Sequence, residues 1–364
     1  MQTLQKSKIE LWYASNFQNK LHGLRILFDD IHPLINQLSS LFKIEKLGES
    51  VREIPIYKIS IGSGKKRILI WSQMHGNEST GTKAVFDLFN FFETPQEFES
   101  IRDKILEECT IVIIPMLNPD GAIKYTRENE NDIDLNRDAV DLRAGESRLL
   151  RKVLEKFNPQ FCFNLHDQRT IFNVAGTTNP ATISFLAPSE EITREITKGR
   201  TETMSVIVSM NDFLQTIIPN HVGRYTDEYY PTATGDNFQR MGYNTILIEA
   251  GHFHDDYERE LTRKYNFYSL LQGLLFLAKN DDYSNYQSYF DIPNNDKKYY
   301  DIVYRNAKLV ENNQETTVDY GVLFKYKVID NKLVKYDFSE VLNPKEEFFG
   351  YTEIDLANKP FNQN

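Results

Sequence analysis

Cysteine is scarce in this sequence: only Cys109 and Cys162 occur among 364 residues. Cys162 lies inside the apolar run FCFNL and reads as a buried thiol. No apolar stretch approaches the length of a membrane span. The opening MQTLQKSKIELWYASNF lacks the apolar segment of a secretory signal, and Met1 argues against a trimmed leader. Two free thiols without a leader predict a reducing, cytoplasmic setting. Positive charge is also in deficit, with 42 Lys and Arg against 52 Asp and Glu, a net charge of −10 and a pI near 5.3. That balance excludes a general nucleic-acid binder and an anionic membrane surface as partners. Internal repeats and low-complexity tracts are absent.

The rest is ordinary for a globular protein, with 40% apolar and 26% charged residues. The length suits one large domain and a small one. Four short apolar runs, Arg67–Trp71, Thr110–Pro115, Phe161–Leu165 and Thr245–Ile248, are nearly continuous rather than alternating. Such runs predict strands buried on both faces. Helical patterns fall between them: Val85, Leu88, Phe89 and Phe92; then Leu149, Leu150, Val153, Leu154 and Phe157; then residues 190–217 and 257–279. The alternation predicts an α/β fold with a mixed, mostly parallel central sheet flanked by helices. Residues 54–61 read as an added antiparallel strand, with Pro55 favouring an edge position, and residues 20–43 as an N-terminal helical cap. After about residue 282 the composition shifts, and ten of the twenty tyrosines fall in residues 281–364. Val322–Ile329 and Lys332–Phe338 around Asp330-Asn331 predict a β-hairpin. The predicted division is therefore 1–282 as the main domain and 283–364 as a small β-rich C-terminal extension.

Every polar cluster of interest follows one of the four buried runs. WSQMHGNESTG puts His75 and Glu78 three apart after the first. Asn118, Arg127, Asp134, Asn136 and Arg137 follow the second, His166 the third, and Glu249 closes the fourth. Ligands in open α/β sheets bind at the carboxyl ends of the strands, so these segments converge. His75, Glu78 and His166 form the two-histidine, one-carboxylate set of a catalytic zinc site, with the fourth position left for water. Glu249 would face that water as general base. Asp134 is the candidate to hold the far N–H of a metal-binding imidazole. Of the two arginines, one can grip a substrate carboxylate through paired hydrogen bonds and another can stabilise a growing oxyanion. His252 and His254, in GHFHDD, are a rival metal pair.

Together these residues resemble the zinc metallocarboxypeptidase family, the funnelin type. The resemblance covers about residues 45–280 through HGNE, NPDG at Asn118–Gly121, TREN at Thr126–Asn129, DLNR at Asp134–Arg137, Leu165-His166 and IEAG around Glu249, and its spacing is most similar to bacterial members. It implies one zinc ion per chain on His75, Glu78 and His166. Asn136 and Arg137 would take the terminal carboxylate and Arg127 the scissile carbonyl. Glu249 would act as base, and Asp134 would pair with His75. Many bacterial relatives continue DLNR with Asn-Phe-Pro. Here Asp138-Ala139-Val140 follows, and Asp138 is placed to neutralise part of the clamp. The family also uses a mobile tyrosine upstream of the base, for which Tyr225, Tyr229 and Tyr230 are candidates, Tyr229 and Tyr230 the better placed. Asp236 would select a basic side chain or serve as a structural residue in TGDN.

The implied activity is removal of a terminal residue from a small peptide with a free carboxylate. The alternative is a deacylase or amidase acting on N-acyl amino acids or cell-wall peptides: related deacylases of N-acyl amino acids use the same His-Glu-His core, and some carry a β-rich C-terminal piece. A non-enzymatic scaffold with the tyrosine-rich extension as its surface is the third reading. Oligomeric state and side-chain specificity are not legible.

Overall fold

The computed structural model describes residues 4–311 and 313–361. The outermost residues of the two predicted parts, 1–3 and 362–364, lie outside these. Helices α1 (Lys6–Asn16) and α2 (Phe28–Ile35) open the chain, followed by an antiparallel pair, β1 (Lys43–Glu49) and β2 (Pro55–Ile61). The helix expected over 20–43 contracts to the eight residues of α2. Asp30 at its start accepts a hydrogen bond from the Leu27 N–H and favours the helix N-terminus. Leu21 and Ile26, which extended the apolar pattern, are buried from irregular backbone instead.

Next come β3 (Lys66–Trp71), α3 (Thr80–Glu93), α4 (Glu99–Glu108), β4 (Cys109–Ile114), α5 (Pro119–Lys124), α6 (Gly145–Phe157) and β5 (Phe161–Asp167). Two short strands, β6 (Phe172–Val174) and β7 (Ile183–Leu186), precede α7 (Lys198–Gln215), β8 (Val222–Arg224), α8 (Thr234–Arg240), β9 (Asn244–Ala250) and α9 (Glu260–Lys279). Eight of the strands form one sheet in the order β1-β2-β4-β3-β5-β9-β7-β8. Its centre, β4-β3-β5-β9, is parallel and contains all four apolar runs. The expected α/β architecture is present. The continuity of the runs has a simple cause: alternate residues serve two layers. Ile68 and Ile70 pack with residues of α3 and α9, whereas Leu69 and Trp71 pack with Leu150 and Leu154 of α6 and Phe238 of α8. Cys109 and Cys162 are free and buried, and burial pushes the Cys109 thiol up to about 12.

The edge assignment of residues 54–61 is corrected. Strand β2 lies between β1 and β4, and the polar, largely exposed β1 is the edge. Pro55 is tolerated because it is the first residue of its strand.

The C-terminal part contains β10 (Asn295–Lys297), β11 (Tyr299–Glu311), β12 (Gln314–Ile329), β13 (Lys332–Val341) and β14 (Phe349–Asp355). The last four form a sheet in the order β13-β12-β11-β14. The expected hairpin turns on Asp330 and Asn331, both left-handed with φ of 49° and 62°, which is the two-residue turn that matches strand twist. This sheet is stitched to the main body. Strand β10 pairs with β6, Ile171 and Phe172 share an apolar cluster with Tyr300, Val303 and Leu323, and Tyr289 and Ile292 belong to the main core. Arg25 donates to the carbonyl and the side-chain oxygen of Asn331, which fastens the hairpin tip to the N-terminal segment.

Candidate functional site

The turn after β3 brings His75 and Glu78 together. Gly76 is required there: a Cβ at this position would lie 1.9 Å from the carbonyl carbon of Gly121 at the start of α5. Asn118 holds the two segments in contact. Its side-chain amide donates to the Met74 carbonyl at 3.1 Å, and its oxygen accepts from the Gly121 N–H at 2.8 Å. The HGNE and NPDG motifs are thus two halves of one packed corner.

At this corner three donors meet. Glu78 places one carboxylate oxygen 2.8 Å from His75 Nδ1 and the other 2.8 Å from His166 Nδ1. The two Nδ1 atoms are 3.1 Å apart. Among the described residues, this is the one group of three metal-ligating side chains whose atoms lie within 4.8 Å of one another. His75 Nε2 donates to Asp134 Oδ1 at 3.2 Å, so Nδ1 carries the lone pair, which also lies 3.2 Å from the Arg127 guanidinium. Burial favours the neutral form of His166 and pulls its pKa down. Burial also opposes the charge of His75, but Glu78 and Asp134 outweigh it and raise its pKa. Two imidazole nitrogens and a carboxylate oxygen aimed at one point fit a zinc ion chemically, with both imidazoles binding it in the neutral form.

Asp134 is central to this corner. Besides His75 it accepts from Arg127 Nε at 2.8 Å and from the Asn136 N–H at 2.8 Å. Burial opposes its charge, but His75 and Arg127 outweigh burial and hold its carboxyl well below the usual range. An Asp134→Asn substitution is expected to weaken zinc binding about 10- to 100-fold, measurable by competition with a chelator.

Glu249 reaches the same place by register, since it sits opposite His166 in the β5–β9 ladder. Its pKa is raised well above the ordinary carboxylate value, first by burial and then by Glu78 and Asp167, against the pull of Arg127 and Arg259. The cleft in front of it is lined by His75, Glu78, His166, Arg127, Asn136, Arg137, Asp236 and Glu249. Asn136 Oδ1 accepts from the Thr234 N–H at the start of α8, and the Arg137 guanidinium lies 5.5 Å from the centre of the Tyr230 ring.

Several expectations change. Tyr229 is not at the site: its hydroxyl faces Arg240 at 3.4 Å, and it lines a separate surface depression. Tyr230 lines the cleft but is exposed, with its hydroxyl on Glu228 at 3.2 Å. Tyr225 lines the cleft and is the tyrosine whose acidity burial, Glu249 and Glu78 suppress. Asp138 does not touch the clamp; it is buried and accepts from the Arg143 and Ala144 N–H groups ahead of α6. Among the described residues His252 and His254 belong to no group of three metal-ligating side chains, and His252 packs against the rings of Tyr257 and Tyr351. Arg259 was missed altogether. It spans the Ala250 and Gln168 carbonyls at the cleft floor, outside any recognisable motif.

Asp236 has a structural bond, accepting from the Tyr230 N–H at 3.0 Å, and also lines the cleft. Burial pushes its carboxyl up to about 6 from 3.8. Between these values the folded chain holds a proton that the unfolded chain releases. Stability from this group therefore falls as pH rises from about 4 to about 6. Urea denaturation at both ends of that window is expected to show a smaller loss in Asp236→Asn.

Residues 30–208 match the family model described as zinc carboxypeptidase. This span is similar to the zinc carboxypeptidases. Relatives include carboxypeptidase 2 of Trichophyton rubrum, 27% identical over 127 residues, covering 33% of this chain and 23% of that protein. Carboxypeptidase SOL1 of Arabidopsis thaliana is 25% identical over 174 residues, covering 43% and 35%. The chain thus spans about a third or less of the length of these relatives. A metallo-carboxypeptidase from Burkholderia cenocepacia superimposes with a TM-score of 0.56 at 16% identity, over 70% of this chain and 69% of that one. Carboxypeptidase A from Helicoverpa armigera gives 0.55 at 13%, over 76% and 81%. These two share the carboxypeptidase fold. The matched span includes both histidines, Glu78, Asp134 and the two arginines, and ends before Glu249.

Proposed function

We propose that this protein is a zinc-dependent hydrolase that removes the C-terminal residue of small peptides. The observation that carries the reading is the meeting of His75, Glu78 and His166 at one point, with Glu249 beside His166 and Arg137 in the same cleft. His75, Glu78 and His166 would hold one zinc ion, which when bound polarises the scissile carbonyl and acidifies the attacking water. Glu249 takes the proton of that water and passes it to the leaving nitrogen. Arg127, oriented by Asp134, faces the oxyanion that develops. Arg137 and the Asn136 amide anchor the free carboxylate. Tyr225 shields the base from solvent, and Tyr230 flanks the clamp.

A second reading keeps the metal and changes the substrate to an N-acyl amino acid. It is favoured by the C-terminal sheet, whose Phe324, Lys325, Tyr326 and Tyr336 line the cleft. Zinc-loaded protein incubated in parallel with blocked dipeptides and with N-acetylaspartate or N-acetylglutamate separates the two. Release of the C-terminal residue from the dipeptides is expected. Cleavage of the N-acyl amino acids alone would replace the peptidase with the deacylase.

A further inference from the structure

The cleft, about 1060 Å3 in volume, extends well past the zinc corner. One side is the clamp, where Asn136, Arg137 and Asp236 lie against α8. The same lining includes Arg169, Phe172 and Lys297, and Lys325 and Tyr336 of the C-terminal sheet. These pieces form one wall. Lys297 lies opposite Phe172 in the β6–β10 ladder. Leu323 packs in the same apolar cluster as Phe172, and Lys325, two residues further along β12, is on the same strand face as Leu323.

Three cations on this wall are unmatched. Arg127 pairs with Asp134, and Arg259 lies 3.8 Å from Asp167. Among the described residues, Arg169, Lys297 and Lys325 have no acidic partner within 4.0 Å. Lys325 and Lys297 rest instead 3.7 Å and 5.9 Å from the ring centres of Phe338 and Phe172. The neighbouring acids are engaged locally: Asp296 accepts from the Lys297 N–H and Glu228 from the Tyr230 hydroxyl. His252, only 2% exposed, also lines the cleft, and neither of its ring nitrogens has a protein partner. Buried polar atoms in this state call for a ligand group to meet them.

We propose that this wall is a subsite for a second anionic group, a carboxylate on the amino side of the scissile bond, held by Arg169, Lys297 and Lys325 with His252 beside them. The assignment of the amino side rests on the peptidase reading. A chain clamped by its terminal carboxylate at Arg137, with its carbonyl beside Glu249, continues into this part of the cleft.

N-acetyl-L-glutamyl-L-alanine and N-acetyl-L-glutaminyl-L-alanine differ there by one charge. Their affinities are to be measured by calorimetry on the full zinc-loaded chain carrying Glu249→Gln. The glutamyl ligand is expected to bind about tenfold tighter or more, with the gap narrowing as salt is raised. Lys297→Gln and Lys325→Gln are each expected to remove most of that difference. Lys332→Gln, which removes the same charge from the hairpin outside the cleft, keeps it. Equal affinities, no binding of either ligand, or a preference that survives both cleft substitutions overturns the proposal. Turnover by the chain with Glu249 intact is read separately. Hydrolysis of the glutaminyl ligand with equal binding of the two refutes the subsite and keeps the peptidase. Preferential glutamyl binding with no hydrolysis of either refutes the peptidase and keeps the subsite.

Discussion

Glu249→Gln is expected to lower kcat by about 10²- to 10⁴-fold while leaving fold and zinc content intact. Glutamine keeps the shape of the side chain and loses the ability to accept a proton from water. The change is structurally mild, because Glu249 stands on β9 between β5 and β7 and its backbone pairing sets its position. The carboxyl sits where burial and two neighbouring acids favour its neutral form. As general base it must be ionised, so kcat/KM is expected to fall as pH is lowered through its pKa, and Glu249→Gln is expected to lose that acid limb. Single-turnover kinetics with parallel metal analysis and thermal denaturation check this. A variant with full zinc and full turnover would falsify the proposed role of Glu249.

The position of Glu249 was legible because strand ends and motif spacings are local properties of a chain. HGNE, DLNR and the apolar runs each lie within a dozen residues, and the parallel sheet then brings their ends together without further information. Matters of direction were less legible. Whether Tyr225 or Tyr229 faces the cleft depends on the path of an irregular loop, which has no period to read. Asp138 looked like a neighbour of the clamp because it follows Arg137, yet the short 3-10 turn at Leu135–Arg137 sends successive side chains apart. Strand order was equally hidden. Nothing within residues 54–61 says that the polar stretch Lys43–Glu49 will cover them. The C-terminal sheet was visible as a hairpin, but its place in the cleft wall arises from β6 and β10, three residues each, too short to stand out.

Asp87 is another residue whose meaning appears only in three dimensions, and its replacement is expected to have the largest effect on stability. In sequence it falls between the apolar positions Val85 and Leu88 of α3, with nothing local to mark it. In the fold that side of α3 is covered by α9 and the N-terminal segment, and both Asp87 and Arg263 of α9 are fully buried. Arg263 meets Asp87 through Nε at 2.7 Å and a terminal nitrogen at 2.6 Å, and its other contacts are the carbonyls of Leu21 and Gln18 and the Glu260 carboxylate at 3.1 Å. Asp87 in turn accepts from the Tyr13 hydroxyl and the Gln18 N–H. The pair thus fastens residues 13–21 to the helical layer. Asp87→Ala leaves the buried guanidinium with only the partly exposed Glu260, 3.1 Å away, as counter-ion and is expected to cost about 3–5 kcal/mol, read from urea denaturation. The double substitution Asp87→Leu with Arg263→Met, which removes both charges, is expected to cost less than the single one. Zinc affinity provides a second readout. Helix α3 begins two residues after Glu78, and Thr80 at its start binds Asp167 beside the proposed ligand His166. Loosening α3 therefore reaches the metal corner, and added zinc is expected to restore part of the lost stability, because it binds the folded state alone. A destabilisation below 1 kcal/mol would mean that water reaches Arg263 and that this pair is not the clasp its burial implies.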